Sequence, residues 1–191
     1  MRFDDGSVMR LYRQTIEDFG LYAGLALSLD DVRKLKDAAG EMSAKMRAVR
    51  IVAASSVSKK DLELRLVAKG ENPEQAREAV NWMSELDLVD DQKVAHQLVE
   101  RCVHKGYGLA RAKQLLYEKR IPKECWTEAL DGYPDQFQVI LQYLCEHLNA
   151  ASEQKDKKRV IESLLRKGHH YSVIRRAMEK LSYNTDDIPE D

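Results

Sequence analysis

The feature that most constrains this chain is a half-unit repeated three times, anchored on Gly70, Arg120 and Gly168, which stand 50 and then 48 residues apart. Before the anchors come Leu62, Leu66 and Lys69, then Ala112, Leu116 and Lys119, then Ile161, Leu164 and Lys167. After them, the same offsets of six and ten residues give Ala76 and Val80, Trp126 and Leu130, Ile174 and Met178. Apolar residues at four-residue intervals lie on one face of a helix, so each unit is built to bury a stripe. Short helices with one apolar face do not stand alone in water, and neighbouring units must pack together or around local three-helix cores.

Each repeat has room for three short helices, with the anchor at the turn between the second and third. The pattern predicts helices near 43 to 54, 58 to 69 and 73 to 86, then 91 to 105, 109 to 119 and 122 to 130, then 135 to 149, 156 to 167 and 170 to 181. Ser58 with Asp61 reads as a capping box, and Pro73 and Pro122 suit a first helical turn. Gly168 permits a left-handed terminal turn. The polar stretch from Asn149 to Lys158 reads as an exposed bend or an extension of either flank. Residues 1–41 differ. An Asp5-Gly6 turn, a Val8 to Tyr12 segment compatible with a strand and a second turn near Gly20 predict a small strand pair leading into a helix around Ser28 to Ala39. The expected fold is therefore all-α: repeats over 42–90, 91–132 and 133–182 forming an elongated curved module, a small front segment with short β-strands, and an acidic tail over 183–191 that is expected to fray.

With 43% hydrophobic residues the chain can bury a core. Three cysteines at 102, 125 and 145 make neither a disulfide framework nor a metal cluster, which favours a reducing cytoplasm. The first twenty residues lack a secretory signal, and no run approaches the roughly 20 apolar residues that span a bilayer. No membrane association is expected.

Candidate chemical sites each carry a plainer explanation. Asp90 and Asp91 are the most conspicuous carboxylates, but neighbours in sequence do not share a helix face and no His or Cys set completes a cage. Capping and junction geometry at a helix starting near Gln92 is the favoured role. His169 and His170 read as a solvated or locally bonded loop pair, and the cysteines as buried packing. Trp82, Trp126 and Tyr143 read as packing anchors rather than a base-stacking platform. Gly106-Tyr107-Gly108 lacks the phosphate-loop pattern and reads as a turn, with Tyr107 packed over it. No catalytic residue, cofactor site or metal site is predicted.

Charge is more informative. The totals nearly cancel, 31 Lys+Arg against 32 Asp+Glu, yet two windows are strongly basic. From 101 to 123 stand Arg101, Lys105, Arg111, Lys113, Lys119, Arg120 and Lys123 against Glu118 alone; from 155 to 180 nine basic residues face three acids, among them Arg159, Arg166, Lys167, Arg175 and Arg176. Aligned on one side, these faces would follow a phosphate backbone or an acidic protein groove. The alternative is ordinary solvated helix surface with local ion pairs.

The stretch Leu86-Asp87-Leu88-Val89-Asp90-Asp91, followed by Ala95, Arg101, Gly106-Tyr107-Gly108, Arg111, Leu115-Leu116 and Lys119-Arg120-Ile121, resembles the RecX family of bacterial regulatory proteins, modulators of the RecA recombinase. The resemblance spans about residues 42 to 182, and the Leu62/Leu66-Lys69-Gly70 and Leu164/Leu165-Lys167-Gly168 segments resemble the matching turns of the flanking repeats. Asp87 and Arg120 stand where the family often has glycine, and Val94 where an aromatic is common. The resemblance implies three tandem three-helix repeats and a non-enzymatic protein that binds the recombinase filament on single-stranded DNA and restrains its ATPase and strand exchange. Arg101, Lys105, Arg111, Lys113, Lys119 and Arg120 would form a middle patch, and Arg159, Arg166, Lys167, Arg175 and Arg176 a distal one. A direct single-stranded nucleic-acid-binding module, an enzyme with a site assembled from distant residues, and a purely structural adaptor are the competing readings. A monomer is expected.

Overall fold

The computed structural model describes residues 1–149 and 152–181; the acidic tail expected over 183–191 lies outside the described residues. Ten α-helices account for most of the described chain: α1 (Arg13–Asp18), α2 (Leu29–Ala54), α3 (Lys59–Ala68), α4 (Pro73–Glu85), α5 (Asp91–His104), α6 (Leu109–Glu118), α7 (Trp126–Ala129), α8 (Gln136–His147), α9 (Gln154–Arg166) and α10 (Tyr171–Lys180). A 3-10 turn, Lys123–Cys125, precedes α7. The chain divides into two compact units, Met1–Asp90 and Asp91–Asp191.

The first unit corrects the expectation at the N-terminus. No β-strand occurs among the described residues; the front segment makes a single antiparallel bridge between Arg2 and Val8, closed by bonds from Phe3 N to the Ser7 carbonyl and from Gly6 N to the Phe3 carbonyl. The turn was legible, but one bridge without neighbouring rungs does not make a ladder. Nor does a helix end near Ala39. Ser28 caps α2 through a complete capping box with Asp31, and the helix then runs unbroken for 26 residues to Ala54. Gly40 interrupts neither the hydrogen bonding nor the packing, since α4 passes so close there that a Cβ would strike the Gln75 side chain.

Helices α2, α3 and α4 enclose a core of Ala44, Ala48, Val57, Leu62, Leu66, Ala76, Ala79, Val80, Met83 and Val89. Asn72 caps α4, with Pro73 at its first position. Buried Glu71 accepts from Arg47 Nε at 2.5 Å and from Ser43 Oγ at 3.0 Å, tying the turn after α3 to α2.

The second unit holds two cores. One gathers Val94, Ala95, Leu98, Val99, Cys102, Ala112, Leu116, Ile121 and Ala129; the other Ile140, Leu144, Leu148, Ile161, Leu164, Ile174, Ala177 and Met178. The apolar stripes read from the repeat all point inward, with Trp126 and Leu130 half-buried. The third helix expected over 122 to 130 is instead the 3-10 turn and the four-residue α7. Gly132, in a left-handed conformation, and Pro134 follow too soon for it to lengthen. Cysteine burial is uneven: Cys102 is buried, Cys125 half-buried and Cys145 exposed, because Cys145 follows core residue Leu144 and turns off the packed face of α8.

One helix ending recurs at six places among the described residues. At Gly20, Gly70, Asp87, Gly106, Arg120 and Gly168 the backbone turns left-handed, and the next amide bonds the carbonyl five residues before it. Glu71, for example, reaches Leu66, Ile121 reaches Leu116 and His169 reaches Leu164.

Candidate functional site

The second unit brings the two basic windows together at the join between two such endings. The loop after α5, Lys105 to Gly108, lies against the loop after α9, Lys167 to His169. Gly108 N donates to the Lys167 carbonyl at 2.8 Å, and His169 Nε2 lies 3.0 Å from the Gly106 carbonyl. A carbonyl can only accept, so His169 carries its proton on Nε2. The seam is held further by Tyr133 Oη donating to the Tyr107 carbonyl at 2.8 Å and by Leu109 N donating to Gln136 Oε1 at 3.2 Å. A Cβ on Gly108 would run into the Gly168 carbonyl, and one on Gly168 into Arg111.

Side chains from the two windows therefore meet. Arg111 packs its Cβ against Gly168 while its guanidinium pairs with Glu118 at 3.4 Å, the Lys167 ammonium lies beside Gly106 and 4.1 Å from the Tyr143 ring centroid, and Lys105 sits 5.9 Å from the ring centroid of Tyr107. Tyr107 is half-buried, as its packing role required.

The other sequence-chosen residues are distributed around this seam rather than gathered into it. Exposed Arg101 donates to the Gln97 carbonyl of its own helix. Lys113 is exposed one turn along α6, while Lys119 and Arg120 stand at its far end, roughly 12 Å from Arg111 at 1.5 Å per residue. Arg159, Arg166 and Arg175 are engaged with Asp156, Glu162 and Glu179 on their own helices. Arg176 lies over Phe137, 4.6 Å from the ring centroid. Asp91 opens α5 in its first turn and is buried, with Asp90 just before it, where the helix dipole favours negative charge.

The histidine pair is the main departure from expectation. His170 is exposed beside Ser172, but His169 is buried to 4% and is a structural bolt of the seam. Burial pushes its pKa down, and the Lys167 charge adds to this, while the bond to the Gly106 carbonyl opposes it. A signal was available: His169 follows Gly168 as Glu71 follows Gly70 and Ile121 follows Arg120, and all three positions are buried. Tyr133 was missed for lack of any local motif. Its hydroxyl pKa is pushed up to about 12 by burial, so the phenol keeps the proton it donates to Tyr107.

Among the described residues no three His, Cys, Asp or Glu side chains are placed to hold a metal ion, and no helix is long and apolar enough to cross a membrane. The described residues make a mostly helical protein whose helices pack around three separate cores, with a glycine seam in the second unit, an arrangement consistent with tandem three-helix repeats. Residues 90–130 match the family model for the second three-helix domain of RecX. The regulatory protein RecX of Clostridioides difficile is 24% identical over 185 residues, covering 93% of this chain and 86% of the relative. That of Stenotrophomonas maltophilia is 27% identical over 150 residues, covering 77% and 90%. In fold, the chain is similar to a crystal structure of regulatory protein RecX, with a TM-score of 0.68 at 17% identity over 93% of this chain and 92% of that one. RecX from Lactobacillus salivarius gives 0.64 at 22% identity over 76% and 98%. In sequence and in fold the chain is similar to the regulatory proteins RecX, and its residues 90–130 carry their second three-helix domain.

Proposed function

We propose that this protein is a non-enzymatic cytoplasmic regulator that binds the RecA-type recombinase filament on single-stranded DNA and restrains its ATPase and strand-exchange activities. The observation that carries this reading is the seam of the second unit, where Lys105 and Lys167, from two separate basic windows, both lie at the Gly106-Tyr107 turn, with Arg111 packed beside them and paired with Glu118. Such a surface complements either acidic filament subunits or the DNA backbone they coat. The seam residues act by charge and shape; no nucleophile and base pair is among them. Binding along the filament would shift the balance between extension and disassembly by favouring one arrangement of neighbouring subunits. A monomer suffices for this mechanism.

The test is recombinase ATP hydrolysis on single-stranded DNA across a titration of this protein, with DNA binding by the protein alone measured in the same buffer. Loss of hydrolysis below the concentration that coats free DNA is the expected result. If hydrolysis falls only when free DNA is sequestered, the protein is a single-stranded nucleic-acid-binding module and the regulatory reading fails. Unchanged hydrolysis refutes it for that recombinase.

A further inference from the structure

A groove of about 570 Å³ lies beside Trp126, between α6 and the turns that flank α7, lined by Leu109, Lys113, Lys123, Trp126, Leu130 and Tyr133 among others. Trp126 donates its indole N–H to the Ile121 carbonyl at 3.0 Å, which fixes the ring as a wall. The lining contains no acidic residue, in contrast to the adjoining groove on the other side of Trp126, which contains Glu118. Lys113 and Lys123 are exposed, and neither makes an ion pair, hydrogen bond or ring contact with a described residue. Two unengaged ammonium groups over an apolar floor complement a carboxylate-bearing segment with one apolar side chain.

The chain contains such a segment. Residues 182–191 carry Asp186, Asp187, Glu190 and Asp191 around Ile188 and have no Lys or Arg. The segment leaves from the end of α10, in the same unit as the groove. Ten residues reach about 33 to 36 Å when extended, comparable with the diameter of a compact body of roughly 100 residues, whose radius of gyration is about 13 Å.

We propose that the groove beside Trp126 is the docking site of residues 182–191, with Ile188 on the apolar floor and the carboxylates on Lys113 and Lys123. The segment is then a built-in competitor that must leave before a polyanion or acidic partner can use this part of the basic face. The proposal goes beyond the recombinase reading and stands or falls without it.

Trp82→Phe in the full chain leaves Trp126 as the sole indole, and acrylamide quenching of its fluorescence reports whether the groove is covered. The expected result is shielding that is lost in two further variants, one with Ile188→Ala, Asp186→Asn, Asp187→Asn, Glu190→Gln and Asp191→Asn, the other with Lys113→Gln and Lys123→Gln. Combining them should produce no additional loss. Salt at about 1 M, where the Debye length is about 3 Å, should weaken the shielding without any substitution. Circular dichroism confirms that each variant is folded. Quenching unchanged by the tail substitutions overturns the proposal. So does shielding that survives the lysine substitutions, which would place the segment elsewhere, or shielding that grows with protein concentration, which would assign it to a second copy.

Discussion

Gly108 and Gly168 meet backbone to backbone: the amide of Gly108 bonds the carbonyl just before Gly168, and no side chain fits on either residue. Gly168 is also left-handed at φ +84°. Overpacking a fixed contact costs about 1 to 3 kcal/mol, and a left-handed non-glycine residue about 1 to 2 kcal/mol. Gly108→Ala should therefore lower stability by about 1 to 3 kcal/mol and Gly168→Ala by more. Urea denaturation of the full chain measures both, and a Gly108→Ala midpoint equal to wild type would contradict the close approach.

His169 sets a pH dependence. Its folded-state pKa lies below the ordinary 6.5, so in mildly acid solution the unfolded chain takes up a proton that the folded chain resists. The stability it contributes is full above about 6.5 and is lost as pH falls through that value toward the folded pKa, at up to about 1.36 kcal/mol per pH unit. A protonated ring would carry a second N–H at Nδ1, which is buried without a partner. His169→Gln keeps a donor for Gly106 and does not titrate, so its stability between pH 7 and about 5 should fall less than that of wild type. Parallel curves for the two proteins would remove His169 from the explanation.

Arg120 and Asp87 hold left-handed turns, at φ 54° and 55°, that glycine adopts without steric cost. Relief of about 1 to 2 kcal/mol is partly offset by the roughly 0.5 to 1 kcal/mol of extra chain entropy that glycine loses on folding. Arg120→Gly and Asp87→Gly should each stabilise by up to about 1 kcal/mol. Thermal melts decide this, and a lower melting temperature in either variant would show that the native side chain makes contacts worth more than the strain.

The basic residues should not contribute equally to polyanion binding. Lys105 and Lys113 are exposed and lack a carboxylate partner among the described residues, whereas Arg159 and Arg175 are held by Asp156 and Glu179. Each lost phosphate contact flattens the slope of log K against log salt by about 0.7 on single strands. Lys105→Gln with Lys113→Gln should flatten it by about 1.4, and Arg159→Gln with Arg175→Gln by distinctly less. Equal effects from the two pairs would mean that the local ion pairs do not hold those arginines in reserve.

The sequence by itself determined most of the helices, their inward stripes and the turns at Gly70, Arg120 and Gly168. These depend on residues within a few positions of each other: Ser58 with Asp61, Pro73 behind Asn72, Leu62 with Leu66, Leu164 with Gly168. The join of the basic windows was not legible, because Lys105 and Lys167 lie 62 residues apart and no local rule says which glycine turn lies against which. Tertiary structure decided that Gly108 faces Gly168, and this one close approach buries His169 and draws Arg111 and Lys167 onto a common surface. It also decided the continuity of α2, where the closeness of α4 makes Gly40 a packing residue instead of a break. Local hydrogen bonding and periodicity act over a turn or two of helix, whereas the choice among possible contacts between turns depends on the shape complementarity of whole units.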